Sequence, residues 1–320
     1  MKRDSLDILF ILDPLEKLNP AYDSSLFLVS LFLRRRHRIW IADVPDLSLT
    51  LTGVIAKARR ITCKPEGHFQ TGQPHLQQAS RFNMILIRKE PPFDLAYLTM
   101  TWILDQIRAD VFISNDPRGI RNANEKIASY FFRSFMPKTL VSSSSEMILN
   151  FSRSLNRPVV IKPLNRKGGE GMFLLNFKIK KHRDRLEQAT ARGKIAIVAQ
   201  ELLKPKNPGD KRIFLINGRP VAAYERRPRS GDFRSNLARG GSLHPAVLTD
   251  QDRRLCLKLS PFLKKEGLHF SGIDVMAGKL LEINVTCPGG YPEAIQLYPK
   301  ARLLERWADF LEIRIRGVNS

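Results

Sequence analysis

The stretch at 271–286, SGIDVMAGKLLEINVT, constrains the fold more than any other part of the chain. Two short apolar runs flank Ala277-Gly278-Lys279, which reads as a β-hairpin with a glycine in its turn. Along the second run Leu281, Ile283 and Val285 alternate with Glu282, Asn284 and Thr286. One strand face is therefore apolar and the other carries oxygen donors. With 277–279 as the loop, Asp274 falls opposite Glu282 on that polar face. Two carboxylates and an amide oxygen side by side form a site for a hard divalent cation. Mg²⁺ takes a few such oxygens and completes its shell with water and substrate phosphates. A half-exposed hairpin with a polar outer face accounts for the same residues, and the rest of the chain has to decide.

At 320 residues the chain can hold two or three domains and a substantial core. Its 43% hydrophobic and 26% charged residues are ordinary for a globular protein, but a net charge of +22 is not. That balance favours anionic partners: nucleic acid, membrane surfaces or phosphorylated small molecules. The basic residues are scattered, and RRRHR at 34–38 is short. No zinc finger, RNA-binding aromatic motif or helix-turn-helix accompanies them, so no dedicated nucleic-acid partner is expected. Cys63, Cys256 and Cys287 are odd in number and far apart, which argues against a disulfide framework or zinc site and for a reducing compartment. The apolar run Ile8–Leu12 is too short for a signal peptide, and no stretch approaches membrane-spanning length. A cytoplasmic protein without a membrane partner is expected.

In chain order, Ile8–Leu12 reads as a buried strand, Asp23-Ser24-Ser25 as the cap of a helix with Leu26, Val29, Ser30 and Leu33 at helical spacing, and Arg38–Ala42 as a second strand, a βαβ opening. Its first turn lacks the glycine fingerprint of a dinucleotide site. Residues 62–82 read as a loop or weak hairpin. Met84–Ile87 is a strand followed by Arg88, at the strand end where open sheets gather ligands. Helices are expected at 95–108, 119–135, 142–154, 250–266 and 300–316. Val159–Lys162 and Met172–Leu175 bracket PLNRKGGEG, whose glycines let backbone N–H groups approach anionic oxygens. Lys162 supplies a cation beneath that loop. Asn217-Gly218 is a hairpin turn. The basic, glycine-rich run 226–246 reads as a cover over an anionic site or a surface loop.

Taken together the motifs resemble the prokaryotic-type glutathione synthetases, a family of ATP-grasp ligases. DP followed by DSS, IRKEPPFD, NEK, VVIKPLNRKGG, AQELL, GDKRIFLINGRPV, SNLARGG, and GIDV with LEINVTCP occur in the family's order and spacing, nearly end to end. GDKR and EINVT are the specific ones. The resemblance implies an α/β fold: a Rossmann-like parallel-sheet domain at 1–122, an ATP-grasp lid domain at 123–200, and a C-terminal ATP-grasp domain at 201–320 carrying the metal site.

By the same resemblance, Lys126 and Lys162 contact ATP phosphates and the loop at Gly168 and Gly169 covers them. Gln200, Glu201, Leu202 and Leu203 hold the adenine, with Asp210 near the ribose. Arg212 and Arg227 stabilise the transferred phosphoryl group. Arg88 and Asn236 lie on the substrate side. Asp274, Glu282 and Asn284 hold Mg²⁺ or Mn²⁺, the set the hairpin suggests independently. The implied reaction joins γ-glutamylcysteine and glycine at the expense of ATP, through an acyl phosphate, and a homo-dimer or homo-tetramer is implied.

The chain also departs from the family. Where the family has Ser-Pro-Thr after EINVT, and soon an arginine before glutamate, this chain reads Cys287-Pro288-Gly289-Gly290-Tyr291-Pro292-Glu293. A related ATP-grasp carboxylate–amine ligase with a different acceptor is therefore a second reading. A catalytically silent, polyanion-binding relative is a third.

Overall fold

The computed structural model describes residues 5–318, apart from 65–67, 206–208, 233, 236 and 238–239. Three sheets organise it. The first unit runs β1 (Asp7–Ile11), α1 (Ser24–Arg34), β2 (Arg38–Ala42), β3 (Leu47–Thr50), β4 (Gly53–Cys63), β5 (Phe69–Gln78), β6 (Met84–Ile87), α2 (Leu95–Asp105), β7 (Phe112–Ser114) and α3 (Pro117–Asn122). Strands β2, β1, β6 and β7 are parallel, and β3, β4 and β5 extend the sheet antiparallel. Residues 8–11 of β1 and all of β6 are buried and read as continuous apolar runs, as parallel strands covered on both faces do. Asp23 starts α1 by accepting from Ser25 N and Leu26 N. The loop or weak hairpin expected at 62–82 instead contains one arm of a long ribbon, β4–β5. Its exposed polar strand β5 carries no apolar alternation that would have marked it.

The second unit contains β8 (Thr139–Ser142), α4 (Ser145–Leu155), β9 (Val159–Pro163), β10 (Phe173–Leu175), α5 (Lys180–Ala189) and β11 (Ile197–Glu201). Its antiparallel sheet has the order β10-β9-β11-β8 and its own small core around Ile148, Ile161 and Leu186. The third unit contains β12 (Asp210–Ile216), β13 (Arg219–Arg227), β14 (Ser242–Pro245), α6 (Asp250–Lys265), β15 (Phe270–Met276), β16 (Lys279–Asn284), α7 (Tyr291–Leu297) and α8 (Leu303–Val318). Its order is β14-β13-β12-β15-β16, antiparallel throughout. The first and third units share two apolar cores, in which Leu9 and Ile85 join Ile273 and Ile283, and Phe10 joins Phe270 and Trp307.

The single helix expected over 119–135 is not formed. α3 ends at Asn122, and the Asn124 side chain accepts from Lys126 N and Ile127 N, which turns the chain before a 3-10 segment at Ala128–Phe135. An asparagine bonding its local backbone competes with helix continuation in this way.

Candidate active site

The three units meet around a cavity of 730 Å³. The β15–β16 hairpin forms its floor, and there the structure both keeps and revises the expected geometry. Asp274 does pair with Glu282, but the loop is shorter than 277–279. Met276 pairs with Lys279, so Ala277 and Gly278 alone make the turn, both at positive φ (50° and 72°). A one-residue irregularity next to Val275 then restores the Asp274–Glu282 register. Its consequence is that Leu280, not Leu281, enters the core, while Leu281 and Glu282 both line the cavity.

Arg212 lies opposite Asp274 on β12 and donates to it in bidentate fashion, Nε to Oδ1 at 2.5 Å and Nη2 to Oδ2 at 3.0 Å. Arg226, on β13, reaches Asp274 Oδ1 at 2.9 Å and donates to both oxygens of Asp210, at 2.8 and 2.7 Å. Burial alone would raise the Asp274 carboxyl, but the two guanidinium groups outweigh it and hold it well below the usual carboxylate range. Asp210 is pushed up by burial, against the pull of Arg226. Burial also raises the Glu282 carboxyl, with Lys126 opposing at 3.9 Å. Asn284 Nδ2 stands 3.4 Å from Asp274 Oδ2 and 3.3 Å from Gly272 O.

On the opposite wall Lys162 donates to Gln200 Oε1 at 2.7 Å. Burial lowers its ammonium pKa, and Glu282 only partly restores it. Lys126, on its turn, donates to Arg166 O at 2.9 Å. Gly168 and Gly169 both have positive φ (62° and 72°), the left-handed conformation a glycine adopts without strain, and line the cavity beside Glu201, Leu202 and Leu203. The structure thus brings together Lys126, Lys162, Gly168, Gly169, Gln200, Glu201, Leu202, Leu203, Asp210, Arg212, Asp274, Glu282 and Asn284.

Three expected residues behave differently. Arg227 does not line the cavity; it is half-exposed and paired with Glu225 at 3.0 Å. Its neighbour Arg226 takes the inward place. Counting back from the Asn217-Gly218 turn puts Arg227 on the face of Arg212, but an irregularity between Phe214 and Leu215 shifts the register by one residue, and a one-residue slip exchanges the faces. Arg88 is buried behind the cavity. Its Nε donates to Ser25 Oγ, its Nη2 donates to Pro288 O at 3.1 Å, and its guanidinium lies over the rings of Phe270 and Trp307. Asn236 lies outside the described residues. Sequence reasoning also passed over Glu125, whose carboxylate accepts from Val285 N, Thr286 N and Thr286 Oγ1 and so fixes the strand that ends in Asn284. The NEK motif contains Glu125, but the family resemblance implies a role only for its lysine.

Among the described residues no group of three His, Cys, Asp or Glu side chains could hold a metal unaided. The donor set here is two cross-strand carboxylates and an amide. It fits a cation that arrives already ligated by phosphates, which is the habit of Mg²⁺, better than an all-protein cage.

A partly enclosed slot between a four-stranded and a five-stranded antiparallel sheet, lined by buried cations under a glycine loop, defines an ATP-grasp ligase. Solved structures share this fold: D-cycloserine synthetase DcsG (TM-score 0.69, 14% identity, 96% of this chain and 99% of that one) and the macrocyclase MdnC of Microcystis aeruginosa (0.62, 16%, 98% and 100%). The family model described as prokaryotic glutathione synthetase, N-terminal domain, matches residues 6–121, and that of its ATP-grasp domain matches 125–298. The glutathione synthetase of Thermosynechococcus vestitus is 36% identical over 304 residues (91% of this chain, 95% of the relative), and that of Gloeobacter violaceus is 39% identical over 296 (90% and 91%). The chain belongs to the prokaryotic glutathione synthetase family.

Proposed function

We propose that this enzyme joins the cysteinyl carboxylate of γ-glutamylcysteine to the amine of glycine, converting ATP to ADP and phosphate. The observation that carries the reading is the convergence, in one cavity, of Lys162, Arg212 and Arg226 with the Asp274–Glu282 pair. In this reading residues 1–122 form the Rossmann-like domain, 123–200 the lid and 201–320 the C-terminal ATP-grasp domain with the metal site. The carboxylate oxygen attacks the γ-phosphorus and ADP leaves. The glycine nitrogen then attacks the acyl carbon, phosphate leaves, and the amine proton is lost to solvent.

No protein nucleophile is needed, so catalysis rests on positioning and charge. Lys162, a desolvated ammonium, gains most from an anionic partner, and with Lys126 it neutralises phosphate oxygens. Gly168 and Gly169 present backbone N–H groups to them, and 200–203 hold the base. Arg212 and Arg226 face the transferring phosphoryl group. One such donor accounts for about 2.7–4 kcal/mol of barrier. Asp274, Glu282 and Asn284 would hold Mg²⁺, whose charge offsets that of the polyphosphate.

The test is ADP release by purified protein. Turnover should require both γ-glutamylcysteine and glycine, and its absence with that pair would remove the assignment. Cys287 lines the cavity where the family carries serine, which favours a second reading, a ligase of the same chemistry with another acceptor. A panel of amines and short peptides separates the two. No described helix is long and apolar enough to cross a membrane. Cytoplasmic operation, where ATP and thiols are kept, and assembly as a homo-dimer or homo-tetramer complete the reading. Fractionation and light scattering test these two points.

A further inference from the structure

The glycine-rich loop between β9 and β10 is tied down at four points. Asn124 Nδ2 donates to Leu164 O at 3.4 Å, Phe93 N to Asn165 O at 3.3 Å, and Lys126 Nζ to Arg166 O at 2.9 Å. The fourth tie joins two charges, Lys167 Nζ and Glu90 Oε2, at 2.6 Å. Glu90 belongs to the first unit, directly after β6, and its own amide donates to Asp13 Oδ2 at 3.0 Å. Lys167 is the last side chain before Gly168 and Gly169. The two residues wall the central cavity and also a recess of 360 Å³ beside it, shared with Asp13, Tyr22 and Asp23.

We propose that Glu90 is a positioning residue for the nucleotide step. Through Lys167 it anchors the glycine loop of the second unit to the first unit, and so fixes the loop's amides over the phosphates. The geometry stands by itself; the consequence for ATP rests on the ligase reading above. A loop with glycines at 168, 169 and 171 has many conformations to lose when it closes on a ligand. A tether at its tip removes part of that cost before ATP arrives. The pair is half-exposed, so its effect is modest and is screened by salt.

A double-mutant cycle with Glu90→Gln and Lys167→Gln tests this, read by KM for ATP and by tryptic cleavage after Arg166 in the ligand-free protein. Each single change should raise KM for ATP by about fivefold, the most an exposed pair supports. The double variant should match the singles. Glu90→Gln should speed cleavage after Arg166 in the wild-type background and not in the Lys167→Gln background. Additive KM effects, or an effect on the KM of the acid or the amine instead of ATP, would show Glu90 acting on substrate directly and overturn the tether. So would an unchanged cleavage rate in the single Glu90→Gln variant. Proteolysis needs no turnover, so failure of the glutathione assignment and failure of the tether give different results.

Discussion

Asp274 faces Glu282 across the hairpin because one extra residue in β16 offsets a turn one residue shorter than the sequence suggests. The same irregularity turns Leu281 and Glu282 to the cavity together. Glu282 is thereby held beside another carboxylate and is raised by burial above its ordinary pKa, so its charge is a cost in the ligand-free protein. Glu282→Gln should lower kcat by about 10²–10³, as loss of one charge-stabilising group does, while the melting temperature without ligand stays level or rises. Steady-state kinetics and calorimetry check both halves. Unchanged turnover at saturating Mg²⁺ would reject the metal role.

Arg226 and Arg227 are adjacent in sequence but occupy different environments. Arg226→Lys loses the fork that serves Asp210 and Asp274 together and should cost about 10²-fold or more in kcat/KM, since a point charge cannot replace a planar bidentate donor. Arg227→Ala removes an exposed pair with Glu225 and should stay within about twofold. The reverse ranking in kinetic assays would restore Arg227 to the role that the family resemblance implies.

Asp274 also links the site to stability. Its folded pKa lies below the ordinary 3.8, so its ionised form favours the folded state. Such a contribution is fully present above the unfolded value and fades as pH falls through the folded one. Asp274→Asn leaves two buried guanidinium groups with one partner fewer and should destabilise by about 3–5 kcal/mol at pH 7. The gap between wild type and variant, measured by urea unfolding, should hold constant from pH 7 to about 5 and narrow below 3.8. A gap that widens on acidification would contradict the pairing.

How much of this was legible follows from which signals are local. Alternation in 282–286 and the glycines at 168 and 169 mark a polar strand face and an anion loop because side-chain period and φ preference are properties of a few residues. Parallel β1 and β6 showed as apolar runs for the same reason. The inward arginine of β13 was not legible, since it depends on an irregularity at Phe214/Leu215 that no residue type announces. Nor was the burial of Arg88. Its partners Ser25, Phe270, Pro288 and Trp307 are spread along the whole chain, and only packing of the first unit on the third brings them together. Lys126 falls within the helix expected at 119–135, yet the Asn124 side chain two residues earlier turns the backbone there.

The loop that departs from the family is held in place by one glycine. Gly290 has φ 99°, and a Cβ there would stand 2.1 Å from Tyr224 Oη and 3.2 Å from Tyr224 Cζ. Its amide and that of Tyr291 donate to Ser24 Oγ, and Gly289 O accepts from Arg212 Nη1 at 3.3 Å. Displacing this segment therefore disturbs both the first unit and the arginine of the site. Gly290→Ala should destabilise by about 2–4 kcal/mol, combining left-handed strain with overpacking, and should lower kcat/KM for the acid and amine more than for ATP. Tyr224→Phe removes the nearest atom but leaves the ring carbon and the positive φ. The double variant Gly290→Ala/Tyr224→Phe should thus recover part of the stability and not all of it. Chemical denaturation of the four proteins in the cycle measures the coupling, and strictly additive losses would mean that the segment yields elsewhere and that Tyr224 does not hold it.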